Sequence, residues 1–326
     1  MPSPATTASA PIVVAGEALY DLVADARGDL TGHPGGGPFN TARTLGRLGR
    51  PVAYLGRLST DRLGATHERM LREDGVDLRA TVRTTDPTTL ALASVDADGV
   101  ASYGFYTHGT AAPGLTGAGA LAVLPPVVAA LHVGTLGLVL EPLAAALEEV
   151  VQRLSGHTLV VTDPNVRPHA IVDADRYRTR LERVLRRTDV VKLSEEDLDW
   201  LQPGRSRAAA TTALLDLGPA AVLLTLGADG AAVVTRGGEH PVAPVAAQVV
   251  DTIGAGDAFG GGFLAWWTSR GLGRNELRSG ELVAEAAAFA AVVAARTVAR
   301  AGASPPALKA GQRDDASPLT AADLEP

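Results

Sequence analysis

The apolar positions of this chain fall into short runs separated by Gly-, Pro- or charge-rich breaks, and the runs keep two different periods. Continuous apolar runs at residues 12–15, 52–55, 129–133, 159–162, 190–193, 222–225 and 232–235 have strand length and read as buried strands. Between them, residues 38–49, 142–154, 173–187 and 207–217 repeat their apolar positions at helical spacing. Strands and helices alternating in this way predict an α/β fold, a mostly parallel sheet covered by helices. Residues 256–296 read as nearly all helical, with Phe259, Phe263 and Trp267 spaced by four as the stripe of a buried helix. Two pieces, 19–25 and 101–106, alternate as half-exposed strands do, and are expected to pair in a small sheet apart from the core. Residues 1–10 and 304–326 show no periodicity and are expected to be flexible tails around a domain at 11–303.

Composition narrows the class. The chain has 326 residues, enough for one large α/β domain or two smaller ones with a sizeable core. It contains no Cys, which removes disulfides and thiolate metal sites and suits a reducing cytoplasm. Gly, Pro or charge interrupts each apolar run before it reaches membrane-spanning length, so no membrane partner is expected. A net charge of −7 with scattered Lys and Arg speaks against nucleic acid. An anionic substrate would then need local positive potential from backbone N–H groups, a helix end, a metal or a few placed Arg.

Asp251-Thr252-Ile253-Gly254-Ala255-Gly256-Asp257-Ala258-Phe259 is where that potential is expected. A Gly-rich turn running straight into a helix points consecutive N–H groups outward and adds the helix dipole, which favours a phosphate. Gly254 and Gly256 let a ligand approach the backbone, and Asp257 falls in the first helical turn. A carboxylate there suits two roles, a helix cap or a base that takes the proton from an attacking hydroxyl. Gly254, Gly256 and Gly260 also come close to a dinucleotide fingerprint, but that motif needs a strand and an acidic residue after its helix, and here helix follows helix. No Gly-Lys-Ser/Thr follows any Gly run and the protein-kinase signature is missing, so neither a P-loop nor a protein kinase is read. The seven His are dispersed and suggest no metal cluster.

The segment 251–259 resembles the C-terminal signature of the PfkB family of carbohydrate kinases, which share the ribokinase-like fold. Gly35-Gly36-Gly37-Pro38-Phe39-Asn40-Thr41-Ala42, continuing to Gly49, resembles the N-terminal signature, and Tyr54-Leu55-Gly56 with Asp61 and Gly64 extends it. Two long signatures in the right order make a specific match, running from about residue 12 to about 302. The wording is nearest to fructokinases, in Gly16-Glu17-Ala18-Leu19 and Gly36-Gly37-Pro38-Phe39-Asn40 above all. Gly37 stands where ribokinases often have Lys, which lowers the expectation for ribose.

The resemblance implies a three-layer αβα domain with a small β-lid from about 17–34 and 90–112, closing over a sugar and excluding water. It implies substrate contacts from Asp21, Gly36, Gly37 and Asn40, with Tyr103, Phe105 and Tyr106 as the apolar face of the lid. Arg167, in Asp163-Pro164-Asn165-Val166-Arg167-Pro168, is the placed cation for a phosphoryl group or a substrate carboxylate. Thr225, Gly227 and Gly230 resemble the nucleotide-binding Thr-x-Gly-x-x-Gly. Ser194 and Asp197 stand where the family's Asn-x-x-Glu, linked to magnesium and phosphate, is usual, which leaves those contacts open; read alone, Ser194 is a helix N-cap. Asp251 and the Ile253 carbonyl match part of a monovalent-cation site. The expected cofactors are therefore ATP and Mg2+, with K+ at that site, and a homodimer through the lid is expected. In the reaction so implied, Asp257 deprotonates a primary hydroxyl that attacks the γ-phosphate, while Gly254, Ala255 and Gly256 hold the transferred group. Fructose is the first expectation, 2-keto-3-deoxygluconate the second and a nucleoside the third. The reading from another class is a catalytically silent sugar- or nucleotide-binding protein.

Overall fold

The computed structural model describes residues 10–24, 28–95, 101–310 and 318–325, and of residues 94, 95 and 101–103 the backbone alone. The expected N-terminal tail lies almost wholly outside them. In chain order the first half comprises β1 (Ile12–Ala15), β2 (Leu19–Ala24), β3 (Leu30–Gly35), α1 (Gly37–Arg47), β4 (Val52–Leu55), β5 (Arg57–Ser59), α2 (Arg62–Glu73), β6 (Val82–Thr84), β7 (Leu90–Val95) and β8 (Ala101–Tyr106). After them come α3 (Gly117–Val123), β9 (Ala130–Gly134), α4 (Leu143–Leu154), β10 (Leu159–Asp163), α5 (Ala174–Leu185) and β11 (Val190–Ser194). The chain continues with α6 (Glu195–Leu201), α7 (Arg207–Leu217), β12 (Ala221–Thr225), β13 (Ala231–Thr235), β14 (Gly238–Val242), α8 (Ala255–Ser269) and α9 (Gly280–Val298).

Eight strands form the main sheet in the order β14-β13-β12-β11-β10-β9-β1-β4. The pairs from β4 to β12 are parallel and the last two antiparallel. Side-chain alternation divides the sheet's two faces between two cores. Val14, Ala130, Val161 and Val190 pack with α1, α2, α8 and α9. Val13, Leu131, Val160 and Val191 pack with α4, α5 and α7. This is the three-layer αβα arrangement. Phe259, Phe263 and Trp267 are buried along α8, whose glycines permit a tight fit. A Cβ at Gly261 would stand 2.7 Å from Thr44 Cγ2 on α1, and one at Gly262 3.1 Å from Ala290 Cα on α9. Each glycine costs the helix about 1 kcal/mol of propensity against Ala, which close packing offsets.

A second sheet, in the order β3-β2-β7-β8, covers the carboxyl ends of β9 and β10. Its Leu19, Ala91 and Phe105 pack on Leu136, Leu140 and Ala170. The two pieces expected to pair, 19–25 and 101–106, share this sheet but do not touch: β7 lies between them, parallel to β2 and antiparallel to β8. The run Leu90-Ala91-Leu92-Ala93-Ser94-Val95 shows no clear alternation, because two alanines blur it. The chain is tied to α2 at both places where it runs into the small sheet. His67 Nε2 donates to the Leu19 carbonyl at 2.9 Å. Asp61, which caps α2 through Gly64 N at 2.8 Å, also accepts from Thr88 N and Thr88 Oγ1, each at 2.7 Å.

The C-terminal segment corrects the expectation of a flexible tail at 304–326. Residues 304–310 and 318–325 strap across α1, α8 and α9, with Leu308, Leu319 and Leu324 buried in the first core. Leu308 bridges to Leu324, and Leu308 N donates to the Arg47 carbonyl at 3.0 Å. Three leucines spread among Pro, Ala and Asp leave no period to read, yet suffice to anchor the segment.

Candidate active site

Two helix N-termini converge at the carboxyl ends of the parallel strands, the usual ligand position of an open α/β sheet. Helix α8 starts from Gly254, whose φ of 78° is left-handed. The capping role is not taken by Asp257: the N-cap is Gly254, and it makes no side-chain bond. Asp257 instead turns into the protein, 8% exposed, where Asn40 Nδ2 of α1 donates to Oδ2 at 2.9 Å. The Asn40 Oδ1 is buried with no protein partner. Helix α1 starts from Gly36, φ 109°. A Cβ at Gly37 would lie 3.2 Å from Asp257 Oδ1 and 2.4 Å from Thr135 Oγ1, so the start of α1 presses directly on the carboxylate.

Burial pushes the Asp257 carboxyl up to about 6, and nearby Asp163 adds to the rise. The Asn40 bond, Lys192 and Arg167 oppose it. Lys192 Nζ, on β11, donates to Asp163 Oδ2, at the end of β10, at 2.9 Å, with both side chains almost fully buried. A second buried carboxylate, Glu17, accepts from Gly37 N at 3.3 Å and Gly137 N at 2.8 Å. Burial raises it to about 8 against those bonds, and Asp257 contributes to the rise.

The other candidates are distributed around this centre. Asp21 on β2 lies against Gly35, where a Cβ would fall 2.0 Å from its Oδ2. Burial raises its carboxyl to about 6, opposed by Arg167 and His33. Arg167 is exposed, its Nη1 donating to the Val166 carbonyl at 3.1 Å, and its charge acts on Asp21, Asp163 and Asp257 alike. The structure thus brings Asp21, Gly36, Gly37, Asn40, Arg167, Gly254, Ala255, Gly256 and Asp257 to one place. Phe105 is half-buried in the apolar patch beneath the small sheet. Tyr106 does not join that face: it is 57% exposed on the other side, as strand alternation requires. The Tyr103 side chain lies outside the described residues.

Ser194 and Thr225 are paired neighbours at the ends of β11 and β12. Gly227 and Gly230, with φ of 58° and 90°, turn the chain between β12 and β13. Ser194 caps α6 in a reciprocal pair with Asp197. Asp197 Oδ1 also accepts from Val166 N at 2.7 Å, which fixes the loop that carries Arg167. Asp251 stitches its own loop, accepting from Ile253 N at 3.0 Å and Gly302 N at 2.9 Å. Glu17, Thr135, Asp163 and Lys192 were given no role by sequence reasoning. Thr135 has a detectable signature only in three dimensions, a φ of 56° that a β-branched residue rarely adopts. Lys192 did carry a signal in sequence, as a lone cation inside an otherwise apolar strand.

Comparison with known proteins agrees with this geometry. A fructokinase of Rhizobium leguminosarum bv. trifolii is 35% identical over 260 residues, covering 78% of each chain. Among solved structures, the fructokinase of Xylella fastidiosa with bound ATP superposes with a TM-score of 0.81 at 28% identity, covering 90% of this chain and 93% of its own. The fructokinase of Vibrio cholerae O395, in a form with fructose, ADP and calcium ion, gives 0.78 at 27% identity, covering 90% and 94%. The model of the pfkB family carbohydrate kinases matches residues 9–310, so this chain belongs to the pfkB family of carbohydrate kinases, with the ribokinase-like fold.

Proposed function

We propose that this sugar kinase is a fructokinase, transferring the γ-phosphoryl group of ATP to a primary hydroxyl of fructose. The observation that carries the mechanism is the Asp257 carboxylate, buried at the start of α8 and held there by Asn40. With a carboxyl near 6 it is largely ionised at neutral pH yet basic enough to accept a proton. The hydroxyl it deprotonates attacks the γ-phosphorus in line, and the negative charge that develops meets the N–H groups of residues 254–257 and the dipole of α8. Asn40 Oδ1, an acceptor without a protein donor, and the Asp21 carboxylate are offered to the other sugar hydroxyls. Gly36 and Gly37 keep the start of α1 open to the ring, and Phe105, with Tyr103, supplies apolar cover. Arg167 supplies mobile positive charge over the transferring group.

Ser194, Thr225, Gly227 and Gly230 form the strand ends along which the nucleotide is proposed to lie. Magnesium would enter with the ATP phosphates: no cluster of three acidic or His ligands occurs among the described residues, and Mg2+ commonly keeps phosphate and water as ligands. A K+ ion suits the loop shaped by Asp251, with the Ile253 carbonyl among its ligands. The outer face of the small sheet exposes Leu30 and Tyr106, at 60% and 57%, which suits a homodimer through the lid. Dependence on ATP and the lack of cysteine suit the cytoplasm.

A coupled ADP-release assay over fructose, ribose, ketodeoxygluconate, tagatose and adenosine tests the assignment. Fructose should give the highest kcat/KM. Preference for ketodeoxygluconate would make Arg167 a carboxylate ligand and this chain an acid-sugar kinase. Tight sugar binding without ADP release would overturn the catalytic reading altogether.

A further inference from the structure

Directly behind the 254–257 turn sits the Lys192 ammonium. A Cβ at Gly256 would stand 2.7 Å from Nζ, so the cation backs onto the same turn that faces the candidate phosphoryl position. Among the described residues its single hydrogen-bond partner is Asp163, although an ammonium has three donors. Asp163 in turn leaves Oδ1 buried and unpartnered. A pair this deep adds little to stability, because the cost of removing both charges from water consumes the attraction. Its placement therefore calls for a reason other than holding the fold.

We infer that Lys192, clamped by Asp163, is a positioning residue for phosphoryl transfer: its ammonium sets the charge on Asp257 from behind and makes the turn in front of it electropositive. The inference rests on Asp257 as the base, and not on which sugar is the acceptor. The groups acting on Asp257 come from every side. Glu17 approaches from the β1–β2 connection, Asn40 from α1, Asp163 and Arg167 from the end of β10, and Lys192 from β11. His132 on β9 faces Lys192; burial lowers it to about 3, so it is neutral and adds no competing charge. Three acidic groups, Glu17, Asp163 and Asp257, thus share a region where Lys192 is the buried cation and Arg167 an exposed one. Without Lys192, like charges in so dry a place would not all stay ionised.

The test uses two nearly isosteric variants and the pH dependence of kcat/KM, measured on whichever sugar the parent phosphorylates. Lys192→Met should lower kcat on the order of 10²-fold and move the acid limb of kcat/KM up by about one pH unit. Asp163→Asn removes a like charge and should move the same limb down. Opposite shifts cannot come from a loosened fold, which lowers the rate but leaves the limb in place. An acid limb that stays put in both folded variants, or moves the same way in both, overturns the inference. If circular dichroism shows Lys192→Met unfolded, Asp163→Asn decides alone: a downward shift supports the inference, and an unmoved or raised limb sinks it. Failure of the fructose assignment would show separately, as a parent enzyme that ignores fructose. Failure of the base assignment would show as turnover retained by Asp257→Asn.

Discussion

The two faces of the main sheet are built from the same strands and differ almost completely in chemistry. Toward α4, α5 and α7, strands β9 to β11 present Leu131, Val133, Val160, Val191 and Leu193. Toward α1 and α8, the same three strands present His132, Asp163 and Lys192 as well as aliphatic residues. One face gains stability by excluding water. The other gives some of that up, burying charges beside two helix N-termini. The difference separates the part of the sheet that holds the fold from the part that acts, within a single layer of backbone.

The sharpest break of that comparison is Asp257→Asn. Turnover should fall by about 10² to 10⁴ while sugar and nucleotide still bind by calorimetry; near-normal turnover would remove Asp257 as the base. The reverse holds across the sheet. Leu147→Ala, at a fully buried position of α4, should cost about 2–5 kcal/mol of unfolding free energy and leave kcat of the folded enzyme unchanged. A large kcat loss there would mean that the two faces are coupled.

A third prediction concerns pH. Asp257 is raised from 3.8 to about 6 in the fold, so its ionisation costs the folded state. Below about pH 4 it is protonated in both states and the cost is absent; above about pH 6 the cost is complete. Asn carries no such cost. Relative to the parent, Asp257→Asn should therefore gain about 3 kcal/mol between pH 4 and pH 8, at about 1.4 kcal/mol per pKa step. Denaturant melts of both proteins at the two pH values measure it, and a gap that does not widen would deny that burial causes the shift. The smallest effect is at Ser194. Removing this cap as Ser194→Ala should cost about 1 kcal/mol, and an unchanged KM for ATP would take it out of the nucleotide site.

The main sheet was legible because its buried strands are uninterrupted apolar runs; β1 and β4 fall where the pattern puts them, residues 12–15 and 52–55. The small sheet was harder. Its strands are half-covered, and the order β3-β2-β7-β8 is set by long-range pairing that no local pattern carries. In the site, Asp257 and Asn40 stood inside two dense glycine motifs, and spacing alone marked them. Glu17 and Lys192 did not stand out, because each is one charge in or beside an apolar stretch, and its significance comes from neighbours on other strands. The C-terminal strap was missed for a related reason: three leucines anchor it without any repeat.

Both strands that lead into the small sheet are fastened to one helix, through His67 to Leu19 and through Asp61 to Thr88. The groups proposed to move the phosphoryl, by contrast, lie on α8, β10 and β11. Recognition and chemistry are therefore carried by separable stretches of chain. Relatives with new acceptors could arise by recombining the stretch from 19 to 106 as a cassette, provided that α2 travels with it. Grafting the strands without α2 would import a pocket with no fastening points.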